Sequence, residues 1–163
     1  MKSVLLLHPM SPRHKSIAAA AICAATVLAA AMPAVAFELV TSEEAALPAG
    51  QVPALELRGS PTRRPNVLVV SPPPSAGLLH SPVDLKLQFH AFGGAEIDPN
   101  SVVVTYLKEP AIDMTQRLVP FITAQGIDIS RADVPPGKHQ FWIELKDKNG
   151  RIGAAEFSFQ VAK

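Results

Sequence analysis

The stretch that decides the fold is VPPGKHQFWIELKDKNGRIGAAEFSFQV, residues 134–161. Apolar and polar side chains alternate on both sides of a central turn, which is the period of a β-strand with one buried face. The residues that share the apolar phase are His139, Phe141, Ile143, Leu145, Ala155, Phe157, Phe159 and Val161. Asp147-Lys148-Asn149-Gly150 separates the two runs, and Asn-Gly accepts the positive φ that tight hairpins require. The stretch therefore predicts two antiparallel strands joined by a hairpin.

Five further strand patterns precede the hairpin. They cover Val67–Val70, Val83–Phe89, Val102–Leu107, Leu118–Thr123 and Ile127–Ile129. Turn sequences separate them, among them SPPP at 71–74 and DPNS at 98–101, and Pro120 predicts an edge position for its strand. Asp113–Arg117 is predicted to form a helical turn or a bulge, and no other helical period follows Ala36. This spacing predicts an all-β fold over residues 66–163, an immunoglobulin-like antiparallel β-sandwich of about seven strands.

The first 36 residues have the pattern of a secretory signal peptide. Lys2, Arg13 and Lys15 form a basic start, Ile17–Ala31 is an Ala-dominated apolar run, and Ala34-Val35-Ala36 follows Pro33. We predict a Sec-type signal peptide that is cleaved after Ala36, which places the chain in the periplasm or outside the cell. A retained membrane anchor is the main alternative. A lipoprotein is disfavoured because Ile22, which is not small, precedes Cys23.

Removal of this leader changes the charge and the thiol content. The whole chain of 163 residues carries a formal net charge of +1. Three of its fifteen basic residues and none of its fourteen acidic ones precede the cleavage site, so the mature chain carries −2. The single Cys is also lost, which excludes disulfides and thiol catalysis. The near-neutral charge provides no electrostatic case for nucleic-acid binding.

Residues 37–65 are predicted to be a flexible, Pro-rich linker. Pro48, Pro53, Pro61 and Pro65 interrupt it, and two glycines lie among them. This composition is typical of an extended tether. Val52–Arg58 alternates weakly, so an added edge strand remains an alternative.

Most of Pro65–Val161 resembles a bacterial immunoglobulin-like domain. The resemblance rests on SPPPSAGLLHSPVDLKLQF (71–89), GGAEIDPNSVVVTYL (93–107) and the stretch 134–161. It implies a sandwich that serves as a binding or structural module, because such domains occur in adhesins, enzyme accessories and envelope proteins. The Cys pair of antibody domains is absent around Trp142, so antibody-like recognition is not implied.

The first and last of these stretches also resemble periplasmic copper carriers of the CopC type. That resemblance implies a Cu(II) site with a His at the mature N-terminus. This chain has Phe37 at that position and retains only Met114 of its methionines after cleavage. The residues depart from the family where its metal chemistry lies, so copper binding is the alternative and not the main prediction.

Isolated residues provide weaker candidates for metal binding and catalysis. His80, His90 and His139 are interpreted as surface or strand-end residues, although their convergence on a metal stays open. Acidic or amide side chains suited to calcium are explained more simply by turn hydrogen bonds. They are Asp98, Asn100, Asp113, Asp128, Asp133 and Asp147. No hydrolase, zinc-protease or phosphate-loop motif is present, so we predict no enzyme, no catalytic residue and no bound cofactor or metal.

Trp142 is the residue that most directly suggests a function. The strand phase places it on the outer face with Gln140 and Glu144. There the ring either anchors a partner or is covered by the linker or a loop. We favour the second alternative because large rings are usually at least partly buried. Tyr106 has the same ambiguity.

The sequence thus predicts an exported, noncatalytic module of the bacterial cell envelope. It presents loops, a sheet face or an edge strand to an unknown protein or glycan partner. We predict no nucleic-acid partner and no stable membrane span after cleavage of the leader.

Overall fold

The computed structural model describes residues 36–53 and 63–163. The predicted signal peptide, apart from Ala36, and residues 54–62 of the predicted linker lie outside the described residues. All described residues belong to one compact unit, Ala34–Lys163.

Among the described residues we distinguish ten strands and three short helical segments. In chain order they are β1 (Phe37–Glu38), α1 (Ser42–Ala46), β2 (Asn66–Ser71), β3 (Leu78–Leu79), β4 (Val83–His90), β5 (Ile97–Tyr106), β6 (Ile112–Asp113), α2 (Thr115–Leu118), a 3-10 turn (Val119–Phe121), β7 (Ile122–Thr123), β8 (Gly126–Asp133), β9 (Gly137–Asp147) and β10 (Ile152–Val161). The six strands of six or more residues include every long apolar alternation found in the sequence.

The strands form two sheets that pack face to face. The first has the order β1-β8-β4-β2, with β7 also paired to β8, and the second has the order β3-β10-β9-β5-β6. The predicted all-β sandwich is confirmed. The long pairs are antiparallel, but β1 runs parallel to β8 and β3 runs parallel to β10, so the prediction of a purely antiparallel fold is wrong at two edges.

Alternating side chains from both sheets form one core. The apolar residues of β4 are all buried and its polar ones all exposed, as the period-2 pattern predicts. In the second sheet the ring of Phe141 stacks on Phe157 at a centroid distance of 5.1 Å and on Tyr106 at 4.9 Å. Leu85 of the first sheet belongs to the same buried cluster. Because neither sheet can bury its apolar face alone, this shared core holds the two layers together.

The hairpin between β9 and β10 has the predicted turn. Gly150 adopts φ of +77° and donates its backbone N–H to the Asp147 carbonyl at 2.8 Å. The ladder then pairs ten residues on each strand, from Ile152 opposite Lys146 to Val161 opposite Gly137. This long register determines which side chains of β9 and β10 share the outer face.

Two local predictions are wrong, one where a neighbouring strand overrides a turn signal and one where a proline interrupts a predicted strand. Residues 98–101 do not separate strands but form an irregularity inside β5, where Ser101 Oγ accepts from the Lys146 backbone N–H at 2.8 Å. The predicted strand 118–123 is a 3-10 turn over Val119–Phe121 followed by the two-residue β7. Pro120 has no N–H for a ladder, which favours the turn. The predicted helical turn near 113–117 is confirmed as α2.

The prediction of a flexible linker is wrong for residues 37–50. Leu39 and Val40 are each only 1% exposed and lie in the core. The backbone N–H of Leu39 donates to the Asp133 carbonyl at 3.0 Å, and the Gly50 N–H donates to the Leu107 carbonyl at 3.0 Å. Prolines and glycines exclude a regular central strand, but they do not prevent a few apolar side chains from filling a gap between sheets.

Candidate binding face on the second sheet

Strand β9 lies in the middle of the second sheet and presents Trp142 on the outer face. Its inward neighbours Phe141 and Ile143 are at most 1% exposed, whereas the Trp142 side chain is partly exposed. The alternation that buries the phenylalanine therefore points the tryptophan away from the core. The outward orientation inferred from the sequence is confirmed.

Polar side chains surround this ring and hold it in place. Trp142 Nε1 donates to Glu144 Oε1 at 2.8 Å, and Gln140 Nε2 donates to Glu156 Oε1 at 3.1 Å. In the ladders, Thr105 of β5 and Glu156 of β10 lie opposite Trp142. We call these five residues, Thr105, Gln140, Trp142, Glu144 and Glu156, the tryptophan face. The bond from the indole N–H fixes the ring orientation before any partner is present.

Tyr106 does not share this face, which resolves the ambiguity that the sequence left between partner contact and burial. Its side chain is fully buried, and its hydroxyl lies 2.8 Å from His139 Nδ1. His139 is also buried, with Nε2 placed 2.8 Å from the Pro135 carbonyl oxygen. A carbonyl only accepts, so Nε2 carries the proton and Nδ1 accepts from the Tyr106 hydroxyl. The interpretation of His139 as a surface residue is therefore wrong, while its inward phase near the start of β9 is confirmed.

Burial determines the protonation of both groups. Desolvation lowers the pKa of His139, with the bond to Pro135 acting against that shift and the Lys108 charge adding to it. Desolvation, with a contribution from Glu44, raises the pKa of Tyr106 to about 12. The pair is thus a neutral hydrogen-bonded unit of the core, and neither group is poised for acid–base chemistry near neutral pH.

The three histidines do not form a metal site within the described part of the chain. His90 is exposed at the end of β4 in the first sheet, His80 lies in the turn after β3, and both ring nitrogens of His139 have internal partners. No group of three or more His, Cys, Asp or Glu side chains in residues 36–53 and 63–163 is arranged to hold a metal ion.

The candidate calcium aspartates have partners within the chain. Asp98 Oδ1 accepts from the Asn100 N–H at 3.0 Å, and Asp113 Oδ1 accepts from the Thr115 N–H at 2.8 Å. Asp147 is buried and pairs with Arg151. These three contacts support the simpler explanation of local hydrogen bonding in turns. Asp128 and Asp133 instead contact residues distant in sequence, Lys86 and Ser81.

One open cleft was not anticipated from the sequence. It has a volume of about 650 Å³ and lies along the ends of β4 and β8, where Gln88, His90, Glu96 and Gln125 contribute to its lining. Residues from the loops 91–96 and 124–125 contribute to its walls, and no periodic pattern marks them. Among the described residues no buried side-chain polar atom lacks a hydrogen-bond partner, so none inside the cleft indicates a missing ligand.

Comparison with known proteins finds a distant structural likeness. No protein-family model and no curated protein sequence matches the chain. A crystal structure of CopC from Methylosinus trichosporium OB3b is 15% identical over 60% of this chain and 94% of that chain, with a TM-score of 0.40. This likeness is too weak to support an argument about metal binding or about the immunoglobulin-like assignment, which stays a prediction.

None of the helices in residues 36–53 and 63–163 has the length and the apolar character that a membrane span requires.

Proposed function

We propose that this chain is a noncatalytic binding or structural module of the bacterial cell envelope, exported to the periplasm or beyond, and that the tryptophan face contacts its protein or glycan partner. Export rests on the leader pattern of residues 1–36. The absence of hydrolase and nucleotide motifs from the sequence supports a noncatalytic role.

The observation that carries this proposal is the position of Trp142. A partly exposed indole lies on the middle strand of a five-stranded sheet, with its N–H already bonded to Glu144. Tryptophan has a large apolar surface and few rotatable bonds, so a ring held in this way loses little entropy when a partner covers it. A rigid sheet is also a better support for contact residues than a loop.

The copper-carrier alternative is not favoured by the described residues. His139 uses both ring nitrogens inside the core, and the resemblance places Phe37 where the family has a His. The donor set that Cu(II) prefers, several imidazole or thioether groups around one point, is therefore not assembled among them.

Retention of partners from a cell-envelope extract tests the proposal. The immobilised chain is compared with Trp142→Ala and with Leu78→Ala, a matched control whose side chain is 64% exposed on β3. We expect Trp142→Ala to lose the retained component and Leu78→Ala to keep it. Equal retention by all three proteins would show that the tryptophan face is not the contact surface.

A further inference from the structure

Three carboxylates on or beside the tryptophan face form no ion pair with another described residue. Glu156 lies opposite Trp142, Glu144 is bonded to the indole, and Asp113 lies one strand farther out, opposite Thr105. The four ion pairs found among the described residues involve none of these three carboxylates. Their charge is therefore available to an incoming group.

The lysines of β9 are too far along the strand to neutralise Glu156. Lys138 and Lys146 share the outer phase of β9 and pair with Gln160 and Ile152 of β10, each four residues from Glu156. At about 3.3 Å per residue, four residues span about 13 Å. That exceeds the Debye length of about 8 Å at physiological salt, so neither lysine screens Glu156, whereas Lys146 lies only two residues from Glu144 on the same face.

The chemistry of an indole beside free carboxylates favours one class of ligand. A guanidinium is planar, stacks on tryptophan, and directs N–H donors from its edge toward carboxylate oxygens. Val103, which is 44% exposed and opposite Glu144, provides apolar surface for the methylene stem of such a side chain. A neutral sugar would leave the carboxylates uncompensated, and an anionic ligand would be repelled.

We infer that the tryptophan face binds an arginine side chain presented by an extended basic segment of a partner protein. The guanidinium stacks on Trp142 and donates to Glu156 and Glu144. This inference rests on the proposed function, because it names the partner chemistry of the same face.

Trp142 is the only tryptophan of the chain, so its fluorescence reports directly on the site. The purified chain is titrated with a peptide of arginines spaced by Gly and Ser, and with the same peptide carrying citrulline, a neutral planar isostere. We expect a saturable change in emission with the arginine peptide, at least about ten-fold weaker binding of the citrulline peptide, and weakening as salt is raised.

Charge-removing variants locate the interaction. Glu156→Gln keeps the size of the side chain and is expected to weaken arginine-peptide binding about ten-fold, as loss of a charge-assisted hydrogen bond implies. Glu43→Gln, an exposed change on α1, is the matched control and should leave binding unchanged. Circular dichroism and the melting temperature verify that both variants are folded.

The possible results separate this inference from the proposed function. Equal binding of the arginine and citrulline peptides, or none of either, would overturn the arginine inference. An emission change with neutral oligosaccharides alone would overturn it in favour of a glycan. In each case the proposed function survives if retention from the extract still depends on Trp142, and it fails if retention does not.

Discussion

His139 shows how one residue acquires its role from its surroundings. It continues the inward phase of β9, is 1% exposed, and binds Tyr106 through one nitrogen and the Pro135 carbonyl through the other. Protonation would place a charge in the core near Lys108, whose ammonium lies 5.2 Å from the centre of the Tyr106 ring. The ring is therefore kept neutral by burial.

This arrangement predicts a pH-dependent stability. The pKa of His139 is lower in the folded chain than its ordinary value of 6.5, so the unfolded chain binds the proton more readily. The contribution of the neutral His139 ring to the free energy of unfolding is complete above pH 6.5. It decreases as the pH falls from 6.5 toward the pKa of His139 in the folded chain. We expect the free energy of unfolding to decrease between pH 7.5 and 5.5 by up to about 1 kcal/mol more in the parent than in His139→Gln.

Urea unfolding at the two pH values measures this difference. His90→Gln, which alters an exposed ring at the end of β4, is the matched control. If the free energies of unfolding of the parent and of His139→Gln decrease by the same amount between the two pH values, the neutral buried imidazole is not the cause of the pH dependence.

At the scale of elements, α1 is held by contacts with residues far away in sequence. Thr41 Oγ1 accepts from the Glu44 N–H while the Glu44 carboxylate accepts from the Thr41 N–H, which forms a capping box. Arg117 of α2 donates to both Glu44 oxygens and to the Leu39 carbonyl, at 2.7 to 2.9 Å. At the other end Lys108 Nζ donates to the Ala45 and Leu47 carbonyls. A five-residue helix is not stable alone, so these contacts stabilise it.

The Glu44–Arg117 pair should make a measurable contribution. The hydrogen bonds from Arg117 are the largest influence that lowers the pKa of Glu44, from 4.5 to about 2. The stabilisation is thus complete above pH 4.5 and disappears as the pH falls to about 2. We expect Glu44→Gln to lower the free energy of unfolding at pH 7 by about 1–3 kcal/mol.

Denaturant unfolding of Glu44→Gln at several pH values tests both the size and the sign. The difference in free energy of unfolding between the parent and Glu44→Gln should become smaller as the pH falls from 4.5 to 2. Glu43→Gln, next in sequence and exposed, should change stability by less than about 0.5 kcal/mol. A deficit that is independent of pH would contradict the assigned role of the ion pair.

At the scale of the whole molecule, residues 37–50 complete the sandwich. Phe37 packs edge-on against Phe121 with ring centroids 4.7 Å apart, and Ala49 bridges to Lys108. Leu39 and Val40 enter the core cluster shared by both sheets. Residues 37–50 are therefore part of the folded unit.

Truncation of one side chain distinguishes a structural segment from a tether. We expect Leu39→Ala to lower the free energy of unfolding by about 2–4 kcal/mol, because it leaves a cavity between the sheets. Val52→Ala, at a position that is 44% exposed, should change it by less than about 0.5 kcal/mol. Thermal or urea unfolding measures both, and a neutral Leu39→Ala would restore the interpretation of this segment as a linker.

The sequence by itself determined the strands with a clear alternation and their inward and outward phases. The β9–β10 hairpin and the outward position of Trp142 are examples, since a period of two and an Asn-Gly turn are local properties of the chain. Tyr106 was ambiguous because Val102–Leu107 is apolar on both faces, so no phase distinguished inside from outside.

Only the tertiary structure decided the position of the N-terminal segment, the neutral Tyr106–His139 pair and the composition of the tryptophan face. Arg117 and Leu39 are 78 residues apart in sequence, and Lys108 and Ala45 are 63 apart. Such contacts depend on which strands become neighbours and on the gaps left between the sheets. No local periodicity encodes these, because they arise from the packing of the whole core.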